Sequence, residues 1–124
     1  MTSDKGQQLG REGEDRACQY LRQQGYEIIA RNWHSRFGEI DIIARDKESL
    51  VFAEVKTRSK AGFGGPEAAL GIHKRKRVIA AAKAYLSVVE SDLPVRFDLV
   101  ALQGEKITLY KGAFCEEEPC SHAY

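Results

Sequence analysis

Two runs, Gly38 to Arg45 and Leu50 to Arg58, flank the polar turn Asp46-Lys47-Glu48-Ser49, and both alternate with the period of two that a β-strand imposes. Symmetric pairing about that turn sets Asp41 opposite Glu54, Glu39 opposite Lys56 and Ile43 opposite Phe52. On the reverse face Ile40 meets Val55, Ile42 meets Ala53 and Ala44 meets Val51. Every reverse-face pair is apolar, so slipping one strand by a residue would mix the two faces. The hairpin therefore has one expected register, and the rest of the chain must cover it.

The elements that could do so follow from periodicity. Leu9, Gly13, Ala17, Tyr20 and Leu21 share a helical face, which predicts a helix from about Gly6 to Gln24, stopped by Gly25. Glu14 sits at the edge of that face. Tyr26 to Trp33 reads as a first strand. After the hairpin, Ser59 to Pro66 is rich in glycine and reads as a loop. A helix, broken near Gly71, is expected over Glu67 to Glu90, with Val78, Ala81, Ala82, Tyr85, Leu86 and Val89 on its apolar side. Val95 to Leu102 and Lys106 to Lys111 form a closing hairpin. The order αβββαββ predicts an α/β domain with a mixed sheet and flanking helices. Residues 1–111 form one domain in this reading, and 112–124 a tail.

At 124 residues the chain has room for one core. No apolar run approaches the ~20 residues of a membrane span, and no signal-peptide stretch opens the chain, so no membrane partner and a cytoplasmic location are expected. The three cysteines, Cys18, Cys115 and Cys120, are an odd, widely spaced set. They read as free thiols, with Cys115 and Cys120 on a loose tail rather than in a zinc clip with His122. The net charge of +1 names no partner, but its distribution is uneven. Val55 to Val89 carries eight basic residues against one acid, whereas Met1 to Glu54 carries eight against ten. A basic stretch beside an acidic cluster suits a polyanion and a cation together.

The chemistry lies in the hairpin. Carboxylates directly opposite in an antiparallel pair have Cβ atoms about 5 Å apart, and their repulsion must be offset. A hard divalent cation, Mg²⁺ or Mn²⁺, held by Asp41 and Glu54 would do so. It would polarise a phosphodiester oxygen and activate water, with Lys56 orienting that water or neutralising charge in the transition state. The alternative is that Lys56 is itself the cation of a structural Glu39–Lys56–Asp41 cluster. Asp98, inside an apolar strand, is expected in a structural ion pair. His34 and His73 read as surface residues, and Trp33 as packing.

Gly38-Glu39-Ile40-Asp41 followed by Phe52-Ala53-Glu54-Val55-Lys56-Thr57-Arg58 resembles the Asp…Glu-x-Lys signature of the PD-(D/E)xK nuclease superfamily. From about Leu9 to Tyr110 the chain resembles the YraN-like family of small bacterial proteins. The likeness includes Gly13-Glu14, Gly25-Tyr26, Arg31-Asn32-Trp33, the hairpin, the Lys74 to Leu86 helix and Arg96-Phe97-Asp98. It implies a restriction-endonuclease-like core similar to archaeal Holliday-junction resolvases, and by the same likeness a homodimer. It further implies metal ligation by Asp41, Glu54, the Val55 carbonyl and Glu14, with Lys56 as the catalytic lysine. Arg58, Lys60, Lys74, Arg75, Lys76 and Arg77 are the candidate nucleic-acid contacts, with phosphates setting affinity rather than sequence choice. Two functions are thus expected to compete. One is an endonuclease acting on DNA, branched or damaged, and the other a non-catalytic nucleic-acid-binding or assembly module on the same fold.

Overall fold

The structure is a computed structural model that describes residues 4–58 and 70–116, with side chains described from residue 11 onward. The first helix, α1, spans Asp4–Gln23. Its buried residues Gly13, Glu14, Ala17, Cys18 and Leu21 recur at three- and four-residue spacing, so one side of the helix lies on the sheet. Gly13 permits the approach. A Cβ there would stand 3.1 Å from Leu102 Cδ1 and 3.3 Å from Thr57 Oγ1. The helix closes with Gly25 N–H donating to the Arg22 carbonyl and Tyr26 N–H to the Leu21 carbonyl, the paired bonds of a glycine-terminated helix.

Five strands follow: β1 (Glu27–Ser35), β2 (Gly38–Asp46), β3 (Ser49–Arg58), β4 (Val95–Gln103) and β5 (Lys106–Phe114). A second helix, α2 (Ile72–Val88), lies between β3 and β4. The strands stand in the sheet in sequence order, antiparallel except for the parallel pair β3–β4. Parallel neighbours need a crossover long enough to return the chain, and α2 supplies it. The order is the expected αβββαββ, a mixed sheet with helices packed on it. No described helix is long and apolar enough to cross a membrane.

Two cores result, one on each face of the sheet. Ala17, Cys18 and Leu21 of α1 pack with Tyr26, Ile42, Ala44, Val51, Ala53, Val100 and Leu102. On the other face Val78, Ala81, Ala82 and Tyr85 of α2 pack with Ile43, Phe52, Phe97, Leu99 and Phe114. Rings knit this second core: Phe52 lies 5.8 Å from Tyr85 and 5.7 Å from Phe97, and Trp33 sits edge-on to Tyr85 at 5.4 Å. Trp33 is thus packing, as expected.

Asp98 is fully buried and wholly engaged. It accepts hydrogen bonds from Tyr26 Oη (2.8 Å), from Arg96 Nε and Nη2 (both 2.8 Å) and from Gly112 N–H (3.0 Å). Arg96 also reaches Asp46 at 2.8 Å. The ion pair expected of Asp98 is therefore present. The pairing of β4 with β5 shifts between Phe97 and Leu99, and the Gly112 N–H released there is the one that Asp98 accepts. Two expectations about the C-terminus need correcting. Gly112, Ala113 and Phe114 belong to β5, because the shifted pairing carries Phe114 back beside Phe97. Cys115 is disulfide-bonded rather than a free thiol, while Cys18 is a buried free thiol.

Candidate metal centre and nucleic-acid cleft

The β2–β3 ladder holds the expected register where it forms: Ile42 pairs with Ala53, Ile43 with Phe52 and Ala44 with Val51. It stops at Ile42. Beyond it, side chains replace the backbone partners. Asp41 N–H donates to Glu54 Oε2 at 3.0 Å, and Val55 N–H donates to Asp41 Oδ2 at 2.8 Å. The two carboxylates therefore clamp the strands where the ladder opens. A strand residue's N–H and C=O point to the same side, so the Val55 carbonyl is directed at the same opening.

A coordinated kink explains why the ladder opens. Ile40 and Ile43 are three residues apart, yet both enter the α2 core, and their partners Trp33 and Ala30 on β1 do the same. Ile42, between them, enters the α1 core. Strict alternation would have put Ile40 with Ile42. In β1 the extra step is taken by Asn32, at φ 51°, a conformation asparagine tolerates better than most residues. The expected arrangement, with Glu39, Asp41 and Ile43 on one face and Ile40 with Val55 on the other, is thus overturned at Asp41. Instead Asp41 opens into a cleft of about 700 Å³ lined also by Arg11, Glu14, Asn32, Glu39, Val55 and Thr57.

Glu14 reaches the cleft from α1. Its Oε1 accepts from Asn32 Nδ2 at 2.8 Å and Arg31 Nε at 3.1 Å, so both kinked β1 residues hold it. Glu54 is only 1% exposed, and its Oε1 makes no hydrogen bond among the described residues, although Lys74 Nζ of α2 stands 3.4 Å away as its ion-pair partner. Burial, then the negative charge of Asp41, pushes Glu54 up to about 8, against the opposing pull of the Asp41 N–H and Lys74. Burial likewise raises Asp41, opposed by the Val55 N–H and Lys74 and reinforced by Glu39. Burial raises Glu14 too, and Asp41 adds to it against the Arg31 and Asn32 contacts. Three acids thus crowd one region, each resisting the charge of the next. Among the described residues no group of three or more His, Cys, Asp or Glu side chains is placed so that it could hold a metal ion, so any ion here would take its protein ligands from fewer carboxylates together with backbone oxygen.

Other predicted residues fall differently. Lys56 is exposed on β3, and Glu39 pairs not with it but with His34, its neighbour across β1–β2, at 3.0 Å. The structural Glu39–Lys56–Asp41 cluster is therefore not formed. Arg58 is buried at 9% exposure rather than presented outward, and Lys60 lies outside the described residues. Of the α2 cations, Lys74 turns toward Glu54 and Arg75 is half-buried, whereas Lys76 and Arg77 are exposed. Sequence reasoning missed the role of Arg31 and Asn32 as holders of Glu14, and Lys74 as the cation beside Glu54. Asn32 carried a faint signal, being an asparagine inside an otherwise strand-like run.

The family described as "Uncharacterised protein family UPF0102" matches residues 13–102, which span Glu14, the hairpin, α2 and most of β4. The chain belongs to family UPF0102. A UPF0102 protein of Phocaeicola vulgatus is 48% identical over 99 residues, 80% of this chain and 82% of that protein. One from Lachnoclostridium phytofermentans is 48% identical over 103 residues, 82% and 87% of the two chains. One from Janthinobacterium sp. is 43% identical over 107 residues, covering 86% and 87%. In this UPF0102 member, every predicted site residue except Lys60 lies inside the described structure.

Proposed function

We propose that this chain is a Mg²⁺- or Mn²⁺-dependent endonuclease that hydrolyses phosphodiester bonds in DNA, on a PD-(D/E)xK scaffold. The observation that carries the reading is Glu54, a carboxylate 1% exposed, with one oxygen lacking a hydrogen bond among the described residues, set against a second buried acid at the point where two strands part. Buried like charges are costly unless something offsets them. The residues suit a hard cation. The donors are all oxygens, from Asp41, Glu54 and the Val55 carbonyl, with Glu14 across the cleft. Such an ion, when bound, supplies Lewis-acid stabilisation of the phosphate undergoing attack.

The chain's own groups do the rest. Asp41 and Glu54 are fixed in place by each other's neighbouring N–H groups, so they need little reorganisation to accept a charge. Arg31 and Asn32 hold Glu14 toward the cleft. Lys56, two residues from Glu54 on the same strand face, is not among the residues lining the cleft but presents an exposed ammonium where β3 meets solvent, suited to a phosphate or to the attacking water. Arg77 and Lys76 add positive charge on α2 that a nucleic-acid backbone can meet.

One observation favours the second reading, a nucleic-acid-binding module without catalysis: Lys74 already gives Glu54 a counter-charge at 3.4 Å. A cleavage assay separates the two. Single-stranded, duplex, flapped and four-way DNA, with RNA alongside, are incubated with wild type and with Asp41→Asn, Glu54→Gln and Lys56→Ala, in Mg²⁺, in Mn²⁺ and in chelator. Metal-dependent cutting of DNA that all three substitutions abolish supports the endonuclease. DNA binding without cutting in any metal supports the module.

A further inference from the structure

Phe37 stands at the tip of the β1–β2 turn with 51% of its surface exposed, and among the described residues it is the only Phe, Tyr or Trp ring more than about a third exposed. Exposed hydrophobic side chains are ordinary, and Ile29, Ile72, Val88, Val89 and Val95 are others on this surface. What distinguishes Phe37 is how it is held and what surrounds it. Ser35 Oγ accepts from Phe37 N–H at 3.1 Å and donates to the Gly38 carbonyl at 3.0 Å, which shapes the turn. Gly38, at φ 152°, presses on α2 so closely that a Cβ would stand 2.9 Å from the Arg77 carbonyl oxygen. The turn is therefore docked on the body of the protein rather than waving from it.

Its surroundings are cationic. The Arg36 guanidinium lies over the ring, 4.9 Å from its centroid, and a hollow of about 410 Å³ beside it is lined by His34, Arg36, Phe37, Glu39 and Arg77. His34 and Glu39 line the carboxylate cleft as well, so the two depressions adjoin. Along β2, Phe37 is four residues from Asp41, about 13 Å at strand rise. That spans roughly four stacked bases at 3.4 Å per step. A rigid exposed ring flanked by arginines is what an unstacked base requires: a flat apolar surface, with cations beside it for the phosphates. Paired bases are already stacked on both faces and have no use for it.

We propose that Phe37 is a stacking platform for an unpaired nucleobase, so that the substrate entering the cleft carries a single-stranded stretch within a few nucleotides of the bond addressed. The inference rests on the reading of the cleft as a nucleic-acid site and names its substrate class. Binding is measured in chelator, by fluorescence anisotropy, to a labelled oligothymidylate and to a blunt duplex. Phe37→Ala is expected to weaken binding to the single strand about tenfold and leave duplex binding unchanged. Phe37→Trp restores single-strand binding, and its added indole emission is quenched as the oligonucleotide binds, beyond any change seen from Trp33 in wild type. The proposal is overturned if wild type does not bind the single strand. It is also overturned if Phe37→Ala binds it as well as wild type or loses both ligands alike, or if the added indole is not quenched. Cleavage is scored separately. Absence of cutting in wild type with the Phe37 effect intact removes the endonuclease and keeps the platform, whereas cutting with no Phe37 effect removes the platform alone.

Discussion

Glu54→Gln separates the cost of the site from its use. The amide keeps the shape of the side chain and an oxygen to accept the Asp41 N–H, while removing the charge. In the folded protein Glu54 titrates near 8 against an ordinary 4.5. A folded pKa above the unfolded one means that the associated stability is fully present below about 4.5 and is lost as pH rises through about 8. At about 1.36 kcal/mol per pH unit, the charged carboxylate costs the fold at most about 4 kcal/mol at pH 8 and about 1 kcal/mol at pH 5. Glu54→Gln avoids that cost. In chelator it should therefore be more stable than wild type at pH 8, and the advantage should shrink by up to about 3 kcal/mol at pH 5. For a domain of this size 1 kcal/mol moves Tm by about 3–6 °C, so paired thermal melts at the two pH values resolve the effect. Adding Mn²⁺ should narrow the gap at pH 8, because wild type gains a ligand that the amide holds poorly. Glu54→Gln being less stable than wild type by the same margin at both pH values would show that the buried Glu54 charge carries no such cost.

Four further outcomes follow from named contacts. Lys74→Met should destabilise the metal-free protein at pH 9 by about 1–3 kcal/mol and scarcely at pH 5, where Glu54 is neutral; denaturant melts check both. Asn32→Val places a β-branched residue at positive φ and removes a Glu14 partner, and should cost about 2–3 kcal/mol, whereas Asn32→Gly, which keeps the backbone, should cost less. Gly38→Ala forces a Cβ against the Arg77 carbonyl and should lower stability by about 1–3 kcal/mol, read from the urea midpoint. Asp98→Ala leaves Tyr26 and the Gly112 N–H without their acceptor and Arg96 with Asp46 as its only carboxylate, and should cost about 3–5 kcal/mol, enough that soluble yield is the first readout.

The hairpin shows how far periodicity carries. Ile42, Ile43 and Ala44 pair as alternation requires, because each has a full apolar core on its own side to satisfy. The same rule places Asp41 opposite Glu54, and the two do meet, but through side chains rather than through the ladder. The kink that rearranges them is shared between Asn32 on one strand and Ile40 on the next. A pattern read one strand at a time does not register a distortion that two strands make together. Lys74 escaped for a related reason. In sequence it heads a run of four cations of which some must project outward, with nothing to mark which one turns in, and only the docking of α2 on β2 turns Lys74 to Glu54. Glu14 was legible because a carboxylate at the edge of an apolar helical stripe has to meet the sheet. The end of β5 was not, since Gly112 looks like a terminator until Asp98 takes its N–H.

Asp41 and Glu54 as an oxygen-donor site for one hard divalent cation is the claim on which the rest depends. Isothermal titration of the full chain with Mn²⁺ tests it most directly. Wild type is expected to bind Mn²⁺ saturably, and that binding to be lost in Asp41→Asn and in Glu54→Gln while both variants keep the wild-type circular dichroism spectrum. Wild type that takes up no Mn²⁺, or an Asp41→Asn variant that binds it as tightly, would rule out a cation held by Asp41 and Glu54.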